Sequence, residues 1–304
     1  MLLFTHSSCL LHDAGPGHPE SPARLQAVLE ALDGDRFAAL DRIEAPRATR
    51  EQLLRVHDGG LIDAVFAAAP EQGFVRLDAD TAMSPDSLEA ALRAAGAVCA
   101  AVDAALAGGG VRAFCAVRPP GHHATRDTPM GFCLFNSVAV GAAHALARGL
   151  ERVAVVDFDV HHGNGTQDIF WDAPQVMYAS THQWPLYPGT GARSETGAGN
   201  VVNAPLKPGS GSAEFRAACR DIVLPALRAF APQLVMISAG FDAHTLDPLA
   251  DLNLGADDYA WITHELVEIA NASAGGNVVS SLEGGYSLTA LRQSAVAHVG
   301  ALMA

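Results

Sequence analysis

The chain has 304 residues, 49% hydrophobic and 17% charged, which is ample material for a buried core and excludes both a disordered chain and a mini-protein held by staples. Its 33 acidic and 19 basic side chains give a formal net charge of −14, and no run of Lys or Arg is present to neutralise phosphates, so direct nucleic-acid binding is not expected. Five scattered cysteines, Cys9, Cys99, Cys115, Cys133 and Cys219, fit neither a disulfide framework nor a thiolate metal site; residues 1–11 lack the basic start of a secretory signal, and the expected setting is the cytoplasm, away from membranes.

In chain order, an apolar run predicts a strand at 2–4, and Ser21-Pro22 opens a helix carrying Leu25, Val28, Leu29 and Leu32. Thr49 with Gln52 forms a capping-box signature. A helix follows at about 86–107, stopped by Gly108-Gly109-Gly110, then a strand at 111–117, a Gly/Pro-rich loop at 118–131 and a helix at 136–148. Strands at 153–160 and 176–180 precede a second Gly/Pro-rich loop at 185–211. A helix at 213–230, a strand at 234–238, a helix at 257–270, a strand at 278–282 and a helix at 288–302 complete the pattern. Such alternation implies an α/β fold with a parallel sheet covered on both faces, in one domain over residues 1–304.

Four of the apolar runs end in clusters of polar residues. These are Arg118-Pro119-Pro120-Gly121-His122-His123, Asp157-Phe158-Asp159-Val160-His161-His162-Gly163-Asn164-Gly165, Ser238-Ala239-Gly240-Phe241-Asp242-Ala243-His244 and Glu283-Gly284-Gly285-Tyr286. The carboxyl ends of parallel strands share one edge, where ligands bind, so the four segments converge. Asp159 and His161, two apart on an extended segment, point to the same side and can grip one ion; Asp242 can supply a third ligand. Two carboxylates and one imidazole suit zinc with an open coordination position, and a ferrous ion accepts the same set.

These motifs, from Gly17-His18-Pro19-Glu20 to the C-terminal helix, resemble the zinc-dependent histone deacetylase family of the arginase/deacetylase superfamily, nearest its class II and bacterial members. The resemblance implies a central eight-stranded parallel sheet and makes Asp159, His161 and Asp242 the zinc ligands. It makes His123 the general base and His122, held by Asp157, an electrostatic assistant. Asn164 stands where some members carry an Asp facing the base; an amide carbonyl orients the imidazole without adding charge. Tyr286 matches the tyrosine that donates to the developing oxyanion, and Gly131 with Phe132 matches one wall of a narrow channel. A structural potassium ion bound by Asp157, by backbone oxygens of Asp159 and His161 and by the Ser180 hydroxyl is also implied.

The activity so implied is hydrolysis of an acetyl or short acyl amide on acetyl-lysine or a small acetylated amine. Polyamine-selective relatives place an acid where Asp247-Pro248-Leu249 carries leucine, which favours a neutral stem, although acidic residues around 13–20, 78–86 or 195 offer other routes to the entrance. A dimanganese ureohydrolase and a catalytically silent regulatory member are the competing readings; the His-His and Gly-Tyr elements disfavour the first, and the intact set of ligands, base and tyrosine disfavours the second.

Overall fold

The computed structural model describes residues 1–304. Its strands are β1 (Leu2–Thr5), β2 (Asp41–Glu44), β3 (Val75–Arg76), β4 (Ala82–Met83), β5 (Arg112–Cys115), β6 (Val153–Asp157), β7 (Val176–Gln183), β8 (Val201–Leu206), β9 (Leu234–Ala239) and β10 (Val278–Leu282). Eight of them form one parallel sheet in the order β2-β1-β5-β10-β9-β6-β7-β8, and β3 pairs antiparallel with β4 as a separate hairpin. Every residue of β6, β9 and β10 is buried, which is why these segments, apart from Asp157, Ser238, Ser280 and Ser281, read as apolar runs rather than as alternating ones.

The helices are α1 (Ser8–Leu11), α2 (Pro22–Ala31), α3 (Arg50–Leu54), α4 (Gly59–Ala68), α5 (Ser87–Leu106), α6 (Ser137–Ala147), α7 (Asn164–Ile169), α8 (Ser212–Ala218), α9 (Leu224–Phe230), α10 (Ala256–Ser273) and α11 (Leu288–Met303). Helices α5 and α6 pack together and against the central strands, and α11 packs on α10 and α2. The capping box at Thr49 is present: its hydroxyl accepts from Gln52 N–H, and the Gln52 side chain accepts from Thr49 N–H. No helix is long and apolar enough to cross a membrane.

Several boundaries differ from the sequence expectation. The 185–211 loop contains β8, hidden because it carries Pro205 and Asn203; proline is tolerated there because β8 is an edge strand with one free side. The opposite edge, β2, was missed because Asp41, Arg42 and Glu44 are exposed and break the apolar pattern. The single helix expected at 213–230 is divided by a π-helical turn at Cys219–Val223. Strand β6 stops at Asp157 and β5 at Cys115, short of the predicted 160 and 117.

The topology brings the site together. Strands β5, β10, β9 and β6 are neighbours in the sheet, so the loops that follow them, carrying all four polar clusters, emerge side by side at one edge. A buried ionic cluster braces this edge. Glu20 pairs with Arg24 and with Arg118, all three fully buried. Arg118 also donates to the carbonyls of Cys9 and His12, at 2.8 and 2.9 Å; it ties the N-terminal loop to the sheet and does not reach the site. Removing one partner of a buried ion pair strands the others, at a cost of about 3–5 kcal/mol. Glu20→Gln is therefore expected to lower unfolding stability by about that amount in urea titration, against little change for the exposed Glu30→Gln, whose partner Arg292 lies at the surface.

Candidate active site

The turn after β6 is shaped by its own carboxylates. Asp157 Oδ1 accepts from Asp159 N–H at 3.1 Å, and Asp159 Oδ1 accepts from His161 N–H at 2.9 Å. These side chains take the amides that a longer strand would have given to the ladder, which ends β6 at Asp157. Asp159 and His161 thus meet through two consecutive side-chain-to-backbone turns and not, as strand alternation suggested, on an extended segment. After β9, Asp242 Oδ1 accepts from Val160 N–H at 2.8 Å; after β10, Gly284 N–H donates to Asp159 Oδ2 at 2.8 Å.

His161 Nδ1 lies 3.2 Å from Asp159 Oδ1 and 3.1 Å from Asp242 Oδ2. One ligand atom from each residue falls within 4.8 Å of the others, and all three residues are buried. A Cβ at Gly240 would collide with the Asp159 carboxylate, and one at Gly284 with both Asp159 and Asp242. These two positions are glycine because the carboxylates occupy the space a side chain needs.

The electrostatics call for a cation. Burial and the Asp159 charge push Asp242 up to about 7. Burial opposes a charged His161, yet its bonds to Asp159 and Asp242 lift it to about 10. A proton is therefore held at the point where a divalent ion would satisfy all three groups, and a two-carboxylate, one-imidazole set is chemically suited to that ion.

The adjacent histidines are driven apart. His122 Nδ1 pairs with Asp157 Oδ2 at 3.0 Å; burial disfavours its charge, but Asp159 and Asp157 outweigh that and raise it to about 10. His123 Nδ1 pairs with Asn164 Oδ1, the first residue of α7, at 2.8 Å. Burial, then the His122 and His161 charges, hold His123 well below its ordinary value. One ring is thus an imidazolium and its neighbour, 4.0 Å away between centroids, a neutral imidazole.

Tyr286 projects from the loop after β10. Its N–H donates to Asp247 Oδ2 at 2.7 Å, and the Arg24 guanidinium lies 4.8 Å from its ring centroid. Burial keeps the phenol protonated, a hydrogen-bond donor at neutral pH. Tyr286, His123 and His161 border a cavity of about 200 Å³ whose apolar walls are Phe132, Leu186, Tyr187 and Leu249, with Gly131 and Asp80 completing it. Ser180 is the register partner of Asp157 across β6 and β7, and its hydroxyl bonds His182 Nδ1 at 2.8 Å.

Sequence reasoning missed several contributors. Glu283 stood in a quoted motif without a role; its Oε2 accepts from Gly121 N–H at 2.6 Å and His122 N–H at 3.2 Å, holding the His-His loop. Asp247 and Arg24 support the tyrosine loop, and Leu186 and Tyr187 form a wall that only their place in the 185–211 loop hinted at. Of the acidic residues considered for the entrance, Asp80 reaches the cavity. Glu195 instead accepts from Gln167 and from the amides of Gly191 and Ala192, and Glu20 is sealed in its ionic cluster.

This architecture has known counterparts. A histone deacetylase domain matches residues 18–302. The chain is 41% identical to the histone deacetylase-like amidohydrolase of Pseudomonas aeruginosa, over 93% of this chain and 81% of that one. It is 38% identical to a probable deacetylase of Archaeoglobus fulgidus, over 93% and 80% of the two chains. The crystal structure of the HDA15 HD domain superposes with a TM-score of 0.95 at 36% identity, covering 99% of this chain and 87% of the other. The protein belongs to the histone deacetylase family.

Because His161 in the metal-free protein carries a proton up to about pH 10, loading a divalent metal must displace it. Zinc added at pH 7 in weak buffer is expected to release about one and a half protons per site, one from His161 and about half of one from Asp242, and zinc affinity is expected to fall as pH is lowered. An indicator-dye titration measures the first and competition with a chelator the second.

Proposed function

We propose that the protein is a zinc-dependent deacetylase that hydrolyses the amide of acetyl-lysine-like substrates to acetate and a free amine. The observation that carries this reading is the meeting of a neutral His123, a protonated Tyr286 and the Asp159–His161–Asp242 cluster around one narrow, apolar-walled cavity. Asp159, His161 and Asp242 would hold the zinc, which supplies Lewis acidity to the acyl carbonyl and acidifies water; a ferrous ion suits the same donors.

The chain's own residues do the rest. His123, neutral and oriented by Asn164, takes the proton of the attacking water, and the same imidazole returns it to the departing amine. His122, charged beside Asp157, supplies positive potential next to the base. Tyr286 donates its hydroxyl hydrogen to the carbonyl oxygen as negative charge develops there. No covalent intermediate is required: burial raises the Cys133 thiol well above its ordinary value, leaving it a poor nucleophile. A potassium ion is also part of the proposal: Asp157, the backbone oxygens of Asp159 and His161 and the Ser180 hydroxyl would hold it, and these hard oxygen donors suit such an ion.

Leu249 on the cavity wall favours a neutral aliphatic stem over a polycation, and the one acid that reaches the cavity, Asp80, has its Oδ1 taken by Gly131 N–H and the Thr81 hydroxyl. That supports acetyl-lysine over an acetylated polyamine, in keeping with relatives named deacetylases. The test is a side-by-side kinetic comparison of acetyl-lysine peptides, acetylputrescine, acetylspermidine and longer acyl analogues. Preference for an acetylpolyamine would replace the first substrate class by the second. Asp159→Ala and Asp242→Ala are expected to lose tightly bound zinc by elemental analysis. Tyr286→Phe should keep the metal and lose about 10²–10³ in kcat with a small change in KM; a loss below about tenfold would remove the oxyanion role.

A further inference from the structure

Phe132 sits at φ +69°, a left-handed conformation that a bulky L-residue adopts only when its surroundings impose it. The chain's own path imposes it: Gly131, at φ +57°, and Phe132 are the central residues of a two-residue loop in which Met130 N–H donates to the Cys133 carbonyl at 3.1 Å and Cys133 N–H to the Met130 carbonyl at 3.0 Å, and the small β3–β4 hairpin anchors that loop from outside. Phe132 N–H donates to Thr81 Oγ1 at 3.0 Å, the Thr81 hydroxyl donates to Asp80 Oδ1 at 2.9 Å, and Gly131 N–H donates to that same Asp80 oxygen at 3.2 Å. The turn is itself rigid: Asp78 Oδ1 accepts from Asp80 N–H and Thr81 N–H at 2.9 and 2.6 Å, and Leu77 N–H donates to the Thr81 carbonyl. On the far side, the His18 ring meets Phe132 edge-on at 4.7 Å and bonds the Asp80 carbonyl at 3.1 Å.

We propose that Thr81 is a positioning residue that sets the width of the channel. Resting on the deacetylase reading, this inference deepens it by naming what selects the stem. The hydroxyl accepts from Phe132 and donates to Asp80 at once, which among similar-sized side chains only Thr and Ser can do. Thr81 is 1% exposed, so water does not substitute for it. Without the hydroxyl, the Phe132 amide loses its partner and the Met130–Cys133 loop loses its anchor to the hairpin. The ring, edge-on to Tyr286 at 5.9 Å, then leaves the position that narrows the channel to an unbranched aliphatic chain.

The experiment compares wild type, Thr81→Val and Thr81→Ser on an ε-acetyl-lysine peptide and on the same peptide with one methyl branch on the lysine stem. Wild type and Thr81→Ser should reject the branched stem to within about twofold of each other. Thr81→Val should lose about tenfold of that discrimination, the scale of one methyl group in an apolar site, with zinc content unchanged. Amide hydrogen exchange at Phe132 should be slow in wild type and Thr81→Ser and fast in Thr81→Val. Retained discrimination in Thr81→Val, or equal loss in Thr81→Ser, overturns the proposal, as does slow exchange in Thr81→Val. If Thr81→Val fails to fold, Thr81→Ala is read in the same two measurements. Wild-type protein that turns over neither peptide sinks the deacetylase reading, whereas turnover with an unaltered ratio sinks only the role of Thr81.

Discussion

Two carboxylates buried beside each other are the constraint around which this molecule is organised. Asp159 and Asp242 stand in a region from which water is excluded, where an uncompensated charge costs several kcal/mol. The chain meets that cost with directed groups: the amides of Val160, His161 and Gly284 point at carboxylate oxygens, and the His161 imidazole faces both acids. Glycines at 240 and 284 leave the room this requires. The residual demand for positive charge suits the cluster to a cation. The same demand shapes the backbone, because amides that would have extended β6 are taken by acidic side chains.

The second consequence is the division of labour between two histidines that are neighbours in the chain. His122 and His123 differ only in what surrounds them: a carboxylate partner and a nearby second acid for one, an amide partner and two adjacent cations for the other. Environment alone favours the charged form of one and the neutral form of the other. Asn164 matters because it orients His123 while leaving it unprotonated, and a carboxylate there would pull the two rings toward the same state.

Loops with little regular structure hold these groups, and buried polar contacts take the place of a ladder. Glu20 with Arg24 and Arg118 braces the edge of the sheet, Glu283 holds the His-His backbone, and Asp247 holds the tyrosine loop. The β3–β4 hairpin reaches the cavity wall through the Thr81 hydroxyl and the Asp80 carboxylate. Each element is distant in sequence from the group it positions, so precision at the site depends on long-range closure of the whole fold.

The sequence by itself determined the central strands, the parallel α/β class and the residue types of the site. Buried strands must be apolar throughout, and polar clusters at their ends have few other reasons to exist. The shared edge that gathers His122, Asp159, Asp242 and Tyr286 followed from the same logic. Tertiary structure alone decided the edge strands β2 and β8, whose exposed or proline-bearing sequences obey looser rules. It also decided how Asp159 and His161 meet, since a carboxylate capturing a backbone amide leaves no periodicity to read. The contacts of Glu283, Asp247 and Thr81 are likewise visible only in three dimensions, because a hydrogen bond between segments up to 162 residues apart has no local signature in the chain.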